Sequence, residues 1–266
     1  MPLQTWRQND FDNHFKELGI KKGDKICVHS KLLSFGYIEN GISTVLNSLK
    51  KIVGVTGMLV FPSYTFKTNE TNIFSVLKTK PQGMGSFSNY IWSLKNIHRS
   101  PCPIHSHIAI GKNANLISKI NGLSSIGPNS DFEFFHKNNF NLLMLGLGFT
   151  EGASYMHYVE YCAKVPYRKS LNLKRNIEYP DGTIKSINVY YYGRPKKEYK
   201  ENGIFRPYLE NYDTVEQMLL KKSKITQIKT PYGRSSYCSI VNAHNCAMKM
   251  VQINPYAMVK KNIKYT

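Results

Sequence analysis

The amino-acid sequence predicts an α/β fold, a three-layer sandwich built on a central, mostly parallel sheet. Three observations carry this prediction: a strand–helix–strand pattern within residues 25–62, a buried strand followed by a glycine-rich turn and a helix within residues 141–163, and an Asp-Gly hairpin signal at Asp181–Gly182. We interpret residues 1–266 as a single domain with a β-rich elaboration around residues 168–208.

The first 62 residues alternate between helical and strand patterns. A short amphipathic helix is predicted from Asn9 to Leu18, and Lys25–Ser30 predicts a strand. Apolar residues recur at helical spacing from Ile42 to Ile52, before a second strand at Gly57–Pro62. Strand, helix and strand in such a short span form a βαβ unit, which predicts parallel pairing of the two strands.

The middle of the chain holds shorter and more polar elements. In chain order the patterns predict a surface excursion at 63–80, a helix at Met84–Leu94, a proline-stiffened loop at Arg99–Ser106, a brief strand at His107–Gly111 and a helix at 113–120. Ser130 and Glu133 have the spacing of a capping box, which predicts a helix that starts at Ser130.

The character of the sequence changes after Tyr167. Asp181-Gly182 lies between two extended runs and predicts a β-hairpin, whose second strand continues from Ile184 to Tyr192 with high aromatic content. Helical spacing returns at Leu209–Lys222 and at Ser236–Met250.

The composition is strongly basic. Lys and Arg number 36 against 17 Asp and Glu, a formal net charge of +19, which favours anionic partners. The lysines are scattered, and the chain has neither a basic arm nor an RNA-binding aromatic signature, so we do not expect nucleic acid as a partner.

The cysteines and the first ten residues indicate the cellular compartment in which we expect the protein. The five cysteines are odd in number and lack a CxxC pair, which argues against a disulfide framework and a zinc site and favours a reducing cytoplasm. The first ten residues lack an apolar signal core, and no run is long enough to span a membrane. We expect a cytoplasmic protein without a membrane or metal partner; a homo-oligomer is compatible with the sequence.

One histidine is placed where an α/β enzyme would hold a base. The strand from Asn141, the Gly146–Gly148 turn and the helix that follows bring His157 and Glu160 onto one helix face near its start. Such a histidine is either a general base at the rim of the sheet or a structural residue satisfied by its neighbours.

Two other segments combine hydroxyls with cations. His29-Ser30-Lys31 ends a predicted strand and precedes Ser34-Phe35-Gly36, an arrangement that suits a phosphate or a pantetheine chain but also an ordinary βα turn. Arg99, Ser100 and Ser106 lie on the proline-stiffened loop, which either closes on a ligand or serves as a structural crossover.

Together these segments resemble the aminoglycoside 3-N-acetyltransferase family, which is distinct from the GNAT fold. The resemblance rests on colinear motifs from about residue 15 to 165, continuing weakly to the end: His29-Ser-Lys-Leu, Ser34-Phe-Gly, Gly57-Met-Leu-Val-Phe-Pro-Ser-Tyr-Thr65, Arg99-Ser-Pro-Cys-Pro-Ile-His-Ser106, Ser125-Ile-Gly127, Leu142–Phe149 and Ser154-Tyr-Met-His-Tyr-Val-Glu-Tyr161. Lys31 replaces a serine and Cys102 a histidine of the family pattern.

The resemblance implies an acyl-CoA-dependent N-acyltransferase that acetylates an amino sugar directly and without a metal. His157 would be the general base that deprotonates the amine, and Ser154 would fix the imidazole or meet the oxyanion. Glu160 would orient His157 or anchor the helix, while Glu210, with Asp213 as the next candidate, would be the carboxylate partner. The resemblance also places His29, Ser30, Lys31, Ser34, Phe35, Gly36, Arg99, Ser100 and Ser106 on the cofactor side, where acetyl-CoA or another acyl-CoA would bind.

The sequence leaves three alternatives for the function, two of which differ in the acceptor. A body of charge +19 repels polycationic aminoglycosides at long range, which favours an anionic acceptor such as a nucleotide-linked amino sugar destined for a surface polysaccharide. The alternatives are an aminoglycoside antibiotic, or a non-catalytic basic binding protein on the same scaffold.

Overall fold

The computed structural model describes residues 4–193, 199–200, 203–204 and 207–261. Its helices are α1 (Gln8–Glu17), α2 (Ile42–Val53), α3 (Gly85–Trp92), α4 (Asp131–Lys137), α5 (Phe149–Gly152), α6 (Met156–Cys162), α7 (Asp213–Lys221) and α8 (Ile240–Ile253), with 3₁₀ turns at Leu32–Phe35 and Ala114–Lys119. Its strands are β1 (Thr5–Trp6), β2 (Lys25–Ser30), β3 (Tyr37–Ile38), β4 (Met58–Pro62), β5 (Ile73–Ser75), β6 (His98–Arg99), β7 (His107–Gly111), β8 (Asn141–Leu145), β9 (Lys169–Glu178), β10 (Ile184–Gly193), β11 (Tyr199–Lys200), β12 (Gly203–Ile204), β13 (Tyr208–Glu210), β14 (Thr226–Thr230), β15 (Gly233–Ser239) and β16 (Val259–Lys261).

A seven-stranded sheet in the order β14-β15-β8-β2-β4-β7-β6 forms the centre of the fold. At its middle β2 pairs in parallel with β4, as the βαβ pattern predicts, and also with β8, and the outer strands add antiparallel pairs. The α/β fold with a large central sheet flanked by helices, predicted from the sequence, is confirmed.

The two faces of the sheet belong to two separate hydrophobic clusters. Ile26 and Val28 of β2 pack into the cluster that includes residues of α1 and α2, whereas Cys27, between them, packs into the cluster that includes residues of α4, α6 and α8. Successive side chains of a strand point to opposite faces, so this division places helices on both sides of the sheet and makes three layers.

Two predicted helices begin later than their sequence patterns indicate. Residues 233–239 form β15, which pairs with β8, and α8 starts only at Ile240, where the Ser239 side chain accepts from the Val241 amide. Residues 208–210 form β13 against β16, and α7 starts at Asp213. In both cases pairing with a distant strand overrides local helical spacing.

The segment at 63–80 is only partly the surface excursion that its polarity predicts: residues 69–73 are exposed, but other parts are buried. Tyr64, Thr65, Thr68 and Phe74 are buried, and the hydroxyls of both threonines donate to the carbonyl of Pro103. Polar side chains can be buried here because their hydrogen bonds are satisfied inside the protein.

The predicted Asp-Gly hairpin is confirmed. β9 and β10 pair antiparallel over their full length, and the Thr183 amide donates to Oδ1 of Asp181 in the turn between them. β5 adds to the outer side of β9 in parallel, giving a second, three-stranded sheet. The predicted elaboration continues to residue 208, but 194–198, 201–202 and 205–206 lie outside the described residues.

Gly146, which directly follows β8, makes a close approach that a side chain would disrupt. Its φ is +80°, and an added Cβ would lie 2.6 Å from the Lys31 carbonyl oxygen and 2.9 Å from the Ser34 Cβ. We expect Gly146→Ala to lower the free energy of unfolding in urea by about 2–5 kcal/mol, since backbone strain and overpacking each cost about 1–3 kcal/mol. Gly182→Ala is the matched control, because Gly182 has φ +83° with open space around it; equal losses in the two variants would contradict the steric argument.

Candidate active site

His157 lies near the start of α6, beyond the carboxyl end of β8. β8 runs parallel to β2, so the ends of both strands, Leu145 and Ser30, meet at one edge of the sheet. This is the edge at which α/β folds place ligands. The His157 side chain is 20 % exposed, so one part of the ring is held by the protein and another reaches the surface of the site.

The Nδ1 side of the His157 ring is in contact with other side chains of the protein. The Nδ1 atom lies 3.0 Å from Oε2 of Glu160 and 2.8 Å from the Tyr212 hydroxyl. A carboxylate only accepts hydrogen bonds, so the Glu160 contact requires the ring proton on Nδ1, whereas Arg168 Nη2, a donor 2.9 Å from Nδ1, requires a lone pair there. In the Nδ1-protonated tautomer the lone pair resides on Nε2, which makes no hydrogen bond to any residue that the structure describes.

Glu160 is fully buried and surrounded by donors. Arg168 Nε lies 2.6 Å from its Oε2, and the hydroxyls of Tyr167 and Tyr212 donate to it at 3.0 and 3.1 Å. Burial acts to raise the pKa of Glu160, but Arg168 and the hydrogen bonds from His157 and Tyr167 outweigh it and lower the pKa to about 2. Glu160 is therefore a carboxylate at neutral pH, able to hold the imidazole in one tautomer.

The pKa of His157 is lowered from its ordinary value of 6.5. Burial is the largest cause, followed by the positive charge of Arg168, whose Nη2 lies 2.9 Å from Nδ1; Glu160 and Glu210 act in the opposite direction. The ring is therefore uncharged at neutral pH. A neutral imidazole with an open Nε2 can take a proton from a bound substrate.

The two carboxylates predicted as partners of His157 lie farther away. Glu210 is on β13, with Oε1 3.9 Å from Nη2 of Arg168, so it reaches the histidine through the arginine. Asp213 accepts from the Thr150 amide and lies 3.1 Å from Nη2 of Arg234. The carboxylate that contacts His157 is Glu160, which sequence reasoning had placed behind Glu210.

Part of the predicted cofactor segment lines a cavity of about 370 Å³. Ser30, Lys31 and Gly36 contribute to its wall, together with Gly41 and residues 85–87 at the start of α3. Lys31 also pairs with Glu151 at 2.8 Å, beside the turn that precedes α6. These three residues, for which the sequence predicts contact with a phosphate or pantetheine chain, therefore share one cavity.

The neighbours of these residues face the interior instead. His29 is buried, which lowers its pKa to about 3, with a further effect from His107. The Ser34 hydroxyl donates to the carbonyl of Gly146, and Phe35 packs against Trp6 and Phe11. The structure therefore assigns His29, Ser34 and Phe35 to the packing that supports the turn.

The three candidates on the Arg99–Ser106 loop are also buried. Arg99 donates to the carbonyls of Ser63, Val76 and Thr79, and its Nε lies 3.1 Å from the Ser106 hydroxyl. Ser100 donates to Asp131. The polar groups of Arg99, Ser100 and Ser106 are thus satisfied internally, which corresponds to the structural-crossover reading of this loop.

Sequence reasoning missed Arg168, Tyr167 and Tyr212, which complete the surroundings of Glu160. Tyr167 and Arg168 come five and six residues after the end of α6. A tyrosine and an arginine that soon follow a possible His–Glu pair are a signal that could have been used. In the sequence Tyr212 lies between Glu210 and Asp213, the two carboxylates predicted as partners of His157, but only the fold brings its hydroxyl to His157.

Two structural absences concern the part of the chain that the structure describes. Within it, no group of three or more His, Cys, Asp or Glu side chains is arranged to hold a metal ion. Within the same residues, no helix has the length and apolarity needed to cross a membrane.

Several known proteins are similar to this chain in sequence or in fold. The chain is 28% identical to aminoglycoside N(3)-acetyltransferase IV of a Salmonella species over 162 residues, which is 61% of each protein, so the match spans about three fifths of that relative. The fold is similar to a histidine-to-alanine mutant of AAC(3)-IVa solved in complex with a gentamicin, with a TM-score of 0.75 and 22% identity over 97% of this chain and 93% of that one. It is also similar to AAC-IIIb solved as a binary complex with CoASH, with a TM-score of 0.76 and 15% identity over 94% of this chain and 97% of that one.

The family model for aminoglycoside 3-N-acetyltransferases matches residues 27–252, a range that includes all of the central sheet except the first two residues of β2, and also α6 with His157 and Glu160. That range is most of the 266-residue chain. The chain therefore belongs to the aminoglycoside 3-N-acetyltransferase family.

Proposed function

We propose that the protein transfers the acetyl group of acetyl-CoA to the 3-amino group of an aminoglycoside. The observation that carries this proposal is the neutral imidazole of His157, with Nδ1 on the buried Glu160 carboxylate and Nε2 without a partner among the described residues. An unprotonated amine is the nucleophile, and it must lose one further proton as the amide bond forms; a neutral imidazole at the site is the group that can accept that proton.

The chemistry follows from that arrangement. Nε2 of His157 takes a proton from the acceptor amine while the amine nitrogen attacks the thioester carbonyl carbon of acetyl-CoA. The N–C bond forms, the C–S bond breaks, and CoA leaves as the thiolate, which the protonated His157 can then neutralise. Glu160 stabilises the imidazolium during transfer, because its carboxylate remains charged and in contact with Nδ1.

Family membership and the solved relatives support acetyl-CoA as the donor and an aminoglycoside as the acceptor. The similar AAC-IIIb structure holds CoASH, and the similar AAC(3)-IVa mutant holds a gentamicin. For the donor, the cavity lined by Ser30, Lys31 and Gly36 has polar groups suited to a pantetheine or phosphate group.

In the sequence analysis the net charge of +19 favours a nucleotide-linked acceptor. Near the active site this argument is weaker, because the cations there are paired with carboxylates. Lys31 pairs with Glu151, Arg168 with Glu160, and Arg234 with Glu216. Each of these cations thus has its own carboxylate, so their positive charge is locally balanced. Glu210 lies 3.9 Å from the same Arg168, so two carboxylates balance that arginine beside His157.

Release of free thiol from acetyl-CoA tests the proposal. The purified protein is assayed with gentamicin, apramycin and a UDP- or dTDP-linked amino sugar, and the products are identified by mass spectrometry. We expect acetylation of the antibiotics on the 3-amino group. If only the nucleotide-linked sugar is acetylated, the acceptor is that sugar and not an aminoglycoside. If none of these amines is acetylated, the proposed activity is wrong.

Filling the cavity beside Lys31 tests the donor site. Ser86 lines this cavity and is exposed, so Ser86→Trp places a large ring in it without disturbing the core. We expect the KM for acetyl-CoA to rise about tenfold or more, the equivalent of losing roughly 1.4 kcal/mol of binding, while the KM for the aminoglycoside stays similar. Ser93→Trp, at the exposed far end of α3, is the control; a higher acceptor KM with an unchanged acetyl-CoA KM would contradict the assignment.

A further inference from the structure

An exposed aromatic ring, that of Phe66, lies close to the active site. Its centroid is 5.2 Å from the ring of His105, and the His105 ring is 6.5 Å from the ring of His157. His105 is only 4 % exposed, whereas Phe66 is 56 % exposed and the His157 side chain 20 % exposed. The buried His105 ring thus lies between two rings that a ligand can reach from solvent.

The sheet topology independently places Phe66 at the edge that holds the site. β4 ends at Pro62, four residues before Phe66, and runs parallel to β2, which in turn runs parallel to β8. The carboxyl ends of these three strands therefore meet at one edge of the sheet. Phe66 follows the end of β4 and His157 follows the end of β8, so both lie at the edge where α/β folds bind ligands.

The backbone on both sides of Phe66 is held in place by hydrogen bonds. The Thr65 hydroxyl donates to the Pro103 carbonyl at 2.8 Å, and the Lys67 amide donates to Oε1 of Gln82 at 2.8 Å. The position of the ring is therefore largely set before a ligand arrives. A ligand that contacts a fixed ring loses less conformational entropy on binding than one that must first order a loop.

The Phe66 ring itself is supported from the protein side by two buried rings. Tyr64 lies 5.6 Å away at an interplanar angle of 63°, and His105 lies 5.2 Å away at 78°. Neither ring is stacked flat on Phe66, and more than half of the Phe66 side chain is exposed. The ring is therefore available to a partner from solvent.

The chemistry of a phenylalanine ring limits what this partner can be. Phenylalanine has no hydrogen-bonding group in its side chain, but the face of its ring attracts an ammonium group within about 6 Å of the centroid. An aminoglycoside carries several amino groups, which are protonated near neutral pH. One of them is acetylated at His157, so the others are cations on the same or a neighbouring sugar ring.

We propose that Phe66 binds an ammonium-bearing sugar ring of the aminoglycoside through its aromatic face and so helps to select a polycationic acceptor. This inference rests on the proposed acetyl transfer. Phe66 contributes to the affinity and orientation of the acceptor and takes no part in the proton transfer. Its ring gives a protein of net charge +19 a means of attracting a cation that uses none of the 17 acidic residues.

Isothermal titration calorimetry with gentamicin, without acetyl-CoA, tests the contact. Phe66→Leu keeps an apolar side chain but removes the ring, so we expect the Kd for gentamicin to rise about three- to thirtyfold, the range of a cation–π contact. Phe66→Trp should bind gentamicin at least as tightly as the wild type, because the indole ring attracts cations more strongly. If Phe66→Leu binds like the wild type and only Phe66→Ala is weaker, the contact is merely apolar and the inference is wrong.

Val55→Ala is the control, since Val55 is 88 % exposed and precedes β4, at the opposite edge of the sheet. It should leave the Kd for gentamicin unchanged. The Kd for acetyl-CoA should stay similar in Phe66→Leu, and an equal rise in both constants would contradict a role specific to the acceptor. A wild-type protein that binds gentamicin but acetylates no amine would refute the proposed function, whereas a wild-type protein that acetylates gentamicin, with an unchanged Kd in Phe66→Leu, would refute this inference alone.

Discussion

Replacing His157 by alanine should lower kcat/KM for the aminoglycoside by about 100- to 10,000-fold, the usual contribution of a positioned general base. His157 is 20 % exposed, so its removal leaves the fold largely unchanged and the loss reports chemistry. Thiol release from acetyl-CoA, followed with a chromogenic thiol reagent, measures the effect.

His136→Ala is the matched control for this loss. His136 is also a partly buried helical histidine, and its Nδ1 lies 2.7 Å from the Tyr155 hydroxyl, outside the site. This variant should keep most of its activity. A His157→Ala protein that retains the wild-type rate would show that another group removes the amine proton.

Replacing Glu160 by alanine should lower the free energy of unfolding by about 3–5 kcal/mol, because it leaves the buried Arg168 guanidinium without its carboxylate. The pKa of Glu160 falls from its ordinary 4.5 to about 2 in the folded protein. The stabilisation is therefore complete above about 4.5 and is lost as the pH falls towards 2. Urea unfolding at neutral pH and along an acid series measures both effects.

The double variant Glu160→Leu with Arg168→Met separates stability from catalysis. It removes both buried charges, so we expect it to recover much of the lost stability. It should remain poorly active, since no carboxylate holds the Nδ1 proton of His157. A Glu160→Ala variant as stable as the wild type would contradict the role assigned to the buried pair; Glu178→Ala, at the more exposed Lys78–Glu178 pair, serves as the surface reference.

The sequence was sufficient for the parts of the fold that local patterns specify. Short apolar runs and helical spacing predict β2, α2 and β4, and the Asp181-Gly182 signal predicts the β9–β10 hairpin. Local patterns failed at β13 and β15, whose strand state depends on pairing with β16 and β8. A residue's propensity cannot report a partner that lies far away in sequence.

The site shows the same division between local and distant information. His157 and Glu160 could be paired from their spacing on one helix, and the structure places them 3.0 Å apart. Arg168 and Tyr212 could not, because only the folded chain brings their side chains to the histidine. Arg99 illustrates the opposite error, in which a local pattern suggests a site that the fold does not form. A cation on a rigid loop suggests ligand binding, but Arg99 donates its hydrogen bonds to three backbone carbonyls.

The pH dependence of kcat/KM for an aminoglycoside, measured in the wild type and in His157→Gln, tests the central claim most directly. Burial and Arg168 lower the pKa of His157 below its ordinary 6.5. The base works unprotonated, so the wild-type rate should be sustained above this pKa and fall on an acid limb that lies below pH 6.5. The variant should lose this limb. The same limb in His157→Gln would contradict the account.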